Sequence, residues 1–191
     1  YCSKLTDVTI PDGILNVGMY AFDDCPLLNY STYNYGQYLG NDSNPYLVLV
    51  KLSAKDMSTC EINKKCKIIY NEVFKNCTAL TSVTIPDGVT DIGYMAFYGC
   101  NQLKELTIPG SVKGIGYMAF YNCKKLANLT IKDGVTYIDD HSFGVCQTLT
   151  NITVPDSVLS IGNGAFKSCS SLAAAVIGNG VTSIGYEAFS S

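Results

Sequence analysis

Leu80-Thr81-Ser82-Val83-Thr84-Ile85-Pro86-Asp87-Gly88-Val89-Thr90-Asp91-Ile92-Gly93-Tyr94-Met95-Ala96-Phe97-Tyr98-Gly99-Cys100 is a unit that the chain repeats. It returns with small changes at Leu103, Leu126, Leu149 and Leu172, and a first copy begins at Leu5. Cys77, Cys100, Cys123, Cys146 and Cys169 are each 23 residues apart, and Cys2 and Cys25 keep the same step. Phe74, Phe97, Phe120, Phe143, Phe166 and Phe189 obey it as well, while Phe22 precedes Phe74 by one period plus 29 residues. The spacing assigns every phenylalanine to one structural position. Self-similarity at such a period is the mark of stacked supersecondary units.

Each unit changes hydrophobic rhythm partway through. Val83 and Ile85 alternate around Thr84 as a short half-buried strand does. Pro86-Asp87-Gly88 then reads as a turn, proline presetting the first angle and glycine accepting positive φ. Ile92, Ala96, Phe97, Cys100 and Leu103 follow at offsets of 0, 4, 5, 8 and 11, the apolar face of a short helix or helical turn. One such coil cannot bury its apolar face alone, so coils must stack at about 4.8 Å per strand with their phenylalanine, cysteine and leucine columns inside. The expected fold is α/β: a right-handed solenoid with a parallel β-sheet on the concave face and short helices or turns on the return side. It forms a single domain over residues 1–191.

The rhythm breaks between Leu28 and Met57, yet Met57 to Phe74 still aligns with Leu80 to Phe97, so Cys60, Ile62, Cys66 and Ile69 replace Val83, Ile85, Val89 and Ile92. The insertion, at about residues 29–56, holds Tyr33, Tyr35, Tyr38 and Leu39, then Gly40 to Pro45, then Tyr46 to Val50. It reads as two strands joined by a polar turn-rich loop, a β-hairpin projecting from the solenoid.

Composition narrows the partners. With 191 residues, 47% of them apolar, the chain is long enough to bury a substantial core. Net charge is −3 and all 13 basic residues are lysines, so the bidentate guanidinium readers of phosphate and guanine are missing and no nucleic-acid partner is expected. Runs such as Tyr46 to Val50 fall far short of the ~20 apolar residues of a membrane-spanning helix. Tyr1 and Cys2 already belong to a repeat, so any export signal is expected outside this stretch, and the chain stops at Phe189-Ser190-Ser191 just before the next expected cysteine, which reads as a stretch of a longer solenoid.

The pattern Leu-x-x-Val-x-Ile-Pro-x-x-Val-x-x-Ile-Gly-x-x-Ala-Phe-x-x-Cys resembles the leucine-rich repeats of the BspA type, the Treponema pallidum class, found in bacterial surface proteins and some parasitic protists. The resemblance covers nearly the whole chain. It implies a surface-exposed or secreted protein that adheres to host matrix proteins, host cells or other microbes, and it brings no catalytic residues. Lys132 and Gly178 depart from the pattern at the proline, Ser142 at the alanine and Asp139 at the glycine after isoleucine.

No catalytic motif is present: no Gly-x-Ser-x-Gly elbow, no phosphate-binding glycine loop, and a single histidine, His141, at a position where other coils carry Tyr20, Met95, Met118, Gly164 and Glu187. A position so tolerant is expected to face solvent. The nine cysteines read as small buried hydrophobes, with no tight Cys-x-x-Cys pair to hold zinc. Equivalent cysteines in adjacent coils come near the ~4.4 to 6.8 Å Cα separation of a disulfide, so pairing stays open. Neither metal nor cofactor is expected.

Three surfaces remain as binding candidates. Strand alternation turns Thr9, Ser82, Thr84, Glu105, Thr107, Asn128, Thr130, Asn151 and Thr153 outward on the concave sheet. Solenoids bind there, although β-branched threonine also simply suits a half-exposed strand. Tyr94, Tyr98, Tyr117 and Tyr121 form pairs in register on the return segment, either a contact patch or packing between coils. Tyr33, Tyr35, Tyr38 and Tyr46 gather on the hairpin, which either binds or covers the sheet edge. Five Asn-x-Ser/Thr sequons, at Asn29, Asn41, Asn76, Asn128 and Asn151, bear on function only in a eukaryotic secretory pathway. The expected partner is a host matrix or cell-surface protein, or a glycan, met without catalysis. The competing reading is a structural spacer that holds another domain away from the cell surface.

Overall fold

The computed structural model describes residues 2–191. An antiparallel meander comes first: β1 (Ser31–Tyr33), β2 (Gly36–Leu39) and β3 (Val48–Leu52). After it, a longer strand alternates with a two-residue one: β4 (Thr59–Glu61) and β5 (Ile68–Ile69), β6 (Ser82–Thr84) and β7 (Asp91–Ile92), β8 (Glu105–Ile108) and β9 (Gly114–Ile115). The series continues with β10 (Asn128–Ile131) and β11 (Tyr137–Ile138), β12 (Asn151–Val154) and β13 (Ser160–Ile161), β14 (Ala174–Ile177) and β15 (Ser183–Ile184). The coils stack as a β-solenoid with parallel pairing at a 23-residue offset, for example Thr107 with Thr130 and Ile92 with Ile115.

Two strand stacks run along the solenoid where one was expected. The short strands join the meander in a nine-stranded sheet of order β1-β2-β3-β5-β7-β9-β11-β13-β15. The longer strands pair two by two, β4 with β6, β8 with β10 and β12 with β14. Between β6 and β8 the strand pairing lapses, leaving the Lys104 N–H donating to the Thr81 carbonyl at 3.2 Å.

The expected return helices do not form, and no helix occurs among the described residues. A helix needs each N–H directed along its own axis to the carbonyl four residues back. In this segment alternate N–H groups leave the coil: Met95 donates to Tyr117 (3.0 Å), Phe97 to Ala119 (2.7 Å) and Gly99 to Tyr121 (2.9 Å), all in the next coil. The N–H groups between them close four-residue turns, Tyr98 to Met95 at 3.0 Å and Cys100 to Phe97 at 3.2 Å. Sending bonds both ways requires left-handed backbone at Met95 (φ 50°), and the same position is left-handed at Tyr20, Glu72, Met118, His141, Gly164 and Glu187. For a non-glycine residue that costs about 1–2 kcal/mol. The inter-coil hydrogen bond, about 1 kcal/mol, and the packing it permits offset the cost.

That packing is a file of rings. Phe74, Phe97, Phe120, Phe143, Phe166 and Phe189 stack within 10° of parallel, with neighbouring centroids 4.5 to 5.4 Å apart. Leu80, Leu103, Leu126 and Leu149 are wholly buried beside them, as are Val89, Val112, Val135 and Val158. All nine cysteines are free. The thiols of Cys100, Cys123, Cys146 and Cys169 donate to the phenylalanine carbonyls of the coil before, at 3.1 to 3.5 Å. Cysteine therefore gives this column something valine lacks, a hydrogen bond between coils. Ser142, the one buried polar side chain among the described residues, stands at an alanine position, where its hydroxyl donates to the Asp139 carbonyl at 2.7 Å.

Phe22 does not join the file; its ring meets Tyr70 at 6.0 Å and 54°. The insertion differs from expectation too. It forms three strands and does not project: β3 pairs in parallel with β5, Val48 opposite Ile68, so the meander extends the sheet. Its loop holds the first coil, since Ile10 N–H donates to the Gly40 carbonyl and Asn41 Nδ2 to the Ile10 carbonyl, both at 2.8 Å.

Candidate functional site

The alternation of the longer strands turns Val83, Leu106, Ile108, Ile152 and Val154 into the core and leaves their neighbours outside. Thr9, Thr84, Glu105, Thr107, Asn128, Thr130, Asn151 and Thr153 are exposed and Ser82 is half-buried. Parallel register puts Glu105 beside Asn128 and Thr107 beside Thr130. Ser82, Thr84, Glu105, Thr107, Asn128 and Thr130 converge on one depression of about 640 Å³. Pro86, Asp87, Pro109 and Lys132 complete its border, and the Lys132 ammonium reaches across a coil to the Asp87 carboxylate at 3.4 Å. Thr9 lies apart on the first coil, bridged to Gly40, and Asn151 and Thr153 lie beyond the depression.

The depression offers hydroxyls, an amide, two carboxylates and an ammonium. This set donates and accepts hydrogen bonds over an open surface. It contains no nucleophile paired with a base, and among the described residues no three or more His, Cys, Asp or Glu side chains gather as metal ligands. Lys132 replaces the proline of other coils, and the departure supplies the cationic half of the border pair.

The tyrosines of the return segment form two short ladders. Tyr94 stacks on Tyr117 at 5.6 Å and Tyr98 on Tyr121 at 5.5 Å, both within 10° of parallel. His141 closes them edge-on, 6.1 Å from Tyr117 and 6.4 Å from Tyr121. The ring faces are spent on one another, which leaves edges and hydroxyls toward solvent; Tyr117 is 36% exposed and the other three are half-buried. His141 is half-buried, not solvent-facing, because Gly164 (φ 58°) in the next coil leaves room for its ring: a Cβ there would come within 2.5 Å of the imidazole.

The meander tyrosines are mostly structural. Tyr38 is 1% exposed, and its hydroxyl accepts the Asn63 N–H at 3.1 Å. Tyr46 packs edge-on against both Tyr38 (5.6 Å) and Tyr33 (6.2 Å), leaving Tyr35 as the exposed member. Four of the thiols are equally unsuited to reaction: burial pushes Cys60 and Cys77 up to about 11 and Cys66 and Cys123 up to about 12. A thiol so raised carries almost no thiolate near neutrality.

Sequence reasoning missed a second hollow, of about 620 Å³, where the first coil meets the meander and Tyr70. Its signal was present: Tyr70 stands where later coils carry the glycine after isoleucine.

The pattern of the BspA type leucine rich repeat region matches the chain over residues 1–43 and 54–191 in six copies. The chain is similar to a leucine rich cell surface protein of Faecalibacterium prausnitzii A2-165, 34% identical over 84% of this chain and 46% of that one, with a TM-score of 0.75. It shares its fold with the leucine rich repeat protein of T. pallidum (23% identity, 82% of this chain, 86% of that one, TM-score 0.71). A leucine-rich repeat protein of Eubacterium ventriosum ATCC 27560 is alike in fold (24% identity, 96% of this chain, 56% of that one, TM-score 0.73). The chain thus spans about half the length of the first of these proteins. No curated protein sequence matches it. With six copies of the repeat covering nearly all its residues, the chain belongs to the BspA type leucine-rich-repeat family.

Proposed function

We propose that the chain is a non-catalytic binding module of a cell-surface or secreted protein, recognising a host matrix or cell-surface protein, or a glycan, through its longer-strand face. The observation that carries this reading is the convergence of six outward hydrogen-bonding side chains, Ser82 to Thr130, on one depression of about 640 Å³. Repeat packing alone asks only that these positions be polar or β-branched. The relative in F. prausnitzii is a leucine rich cell surface protein, which supports the location.

The test substitutes Thr84→Lys, Thr107→Lys and Thr130→Lys together and measures attachment to immobilised matrix proteins, host cells and glycan arrays. Attachment should be lost while circular dichroism keeps its β-rich form. Unchanged attachment by the folded variant would favour the spacer reading, which the continuous phenylalanine file also suits as a stiff rod.

A further inference from the structure

The hollow at the first coil lies where the phenylalanine file is interrupted. Because Tyr70 takes the place of a glycine, its ring stands against Phe22 at 54° and keeps Phe22 from stacking on the next coil. Phe22, Tyr30, Val50 and Tyr70 wall the resulting cavity of about 620 Å³, inside the range of ligand sites of roughly 300–1,000 Å³.

Three polar features give this apolar hollow a chemistry. Asn71 lines it, and while Asn71 Oδ1 accepts the Tyr94 N–H at 2.8 Å, Nδ2 is buried with no acceptor. Asp23 and Asp24 are exposed at the mouth, and none of the ion pairs among the described residues uses either. Lys51, the nearby cation, instead lies over the Tyr30 ring at 4.1 Å.

We propose that this cavity binds a peptide segment in which an aromatic side chain is flanked by basic residues. The aromatic ring enters among Phe22, Tyr30 and Tyr70, where ring pairs favour tilted contact. The flanking cations face Asp23 and Asp24. An acidic peptide would meet two carboxylates. The site is independent of the longer-strand face, so its fate and that of the proposed function are separable.

The protein contains no tryptophan, which makes the blocked tripeptide acetyl-Lys-Trp-Lys-amide its own reporter. Titrating the whole chain should shift the indole emission to the blue and saturate. Binding should be about tenfold weaker for acetyl-Glu-Trp-Glu-amide, a difference set by the two mouth carboxylates. Val50→Phe fills the cavity and should abolish the shift. Asp23→Asn with Asp24→Asn involves exposed side chains, keeps the left-handed backbone of Asp24 (φ 53°) with a residue that tolerates it, and should weaken the lysine peptide alone. No saturable shift, equal binding of the two peptides, or undiminished binding to folded Val50→Phe would each overturn the proposal.

Discussion

The coils from Met57 onward and the first coil use the same repeat to different effect. In the coils between Met57 and Cys169, Phe97 and Phe120 stack at 4.9 Å, each coil lends carbonyls to the next, and the core columns are almost wholly buried. In the first coil Phe22 is half-buried and tilted, Leu15 is 81% exposed, and contact with the rest passes through the meander and Tyr70. A shared sequence pattern thus supplies the components of a coil, while a neighbour in register on both sides makes it rigid. The two regions should therefore answer differently to equivalent substitutions.

Phe120→Ala removes a wholly buried ring held between Phe97 and Phe143 and should lower unfolding free energy by about 3–5 kcal/mol. Phe22→Ala, at a half-buried position beside an existing cavity, should cost roughly 1–2 kcal/mol. Denaturant titration of both measures the gap. Equal losses would mean that the first coil is as well packed as the others.

Tyr70→Phe sharpens the contrast by loosening one region alone. The Tyr70 hydroxyl accepts the Ala21 N–H at 2.8 Å and donates to the Gly18 carbonyl at 3.0 Å. Losing both should cost about 1–3 kcal/mol. The loss should appear as faster hydrogen exchange at Gly18 to Cys25, with Val83 to Cys169 unchanged. Uniformly faster exchange would show that the first coil unfolds only with the rest.

Asp91 tests the regular region through pH. Burial pushes its carboxyl up to about 6, with the Tyr137 ring lying across Gly114 beside it. A raised carboxyl pKa favours the folded state at low pH, and that advantage is lost as pH rises from the ordinary carboxylate value through about 6. Asp91→Asn should therefore stabilise the protein at pH 7 by about 1–2 kcal/mol, after allowance for partial solvent screening, and change little at pH 4. Thermal melts at the two pH values check the sign.

What the sequence disclosed and what it hid divide along the same line. The phenylalanine file, the leucine and valine columns and the outward threonines were legible because a fixed period brings identical side chains into register, whatever the backbone between them does. Of the short helix or helical turn expected on the return side only turns form, because Ile92, Ala96, Phe97 and Cys100 keep a helical side-chain spacing while the N–H groups of Met95, Phe97 and Gly99 point to another coil. Side-chain periodicity carries no record of where an N–H points. Two of the three meander strands were readable from local alternation. Their place in the sheet was not, since Val48 finds Ile68 through tertiary pairing. Tyr38 was grouped with the hairpin tyrosines as a binding candidate, whereas its ring is buried and its hydroxyl accepts the Asn63 N–H. Of the candidate site, the outward columns were legible, but their convergence on one depression with Pro86, Pro109 and Lys132 was not, since a repeat presents the same outward positions in every coil.

Lys132 gives the smallest effect and the sharpest separation of folding from binding. Its ammonium lies 3.4 Å from Asp87 with the two side chains 51% and 87% exposed, so Lys132→Ala should change stability by less than about 0.5 kcal/mol. Lys132 borders the depression among the same side chains that the proposed function uses. An unchanged denaturation midpoint together with weakened attachment would assign the whole loss to recognition, since coil stacking gains almost nothing from so exposed a pair. Attachment that persists through both Lys132→Ala and the threonine substitutions would leave this face a repeat surface without a partner, and the rigid file of phenylalanines would then be the property on which the protein's use depends.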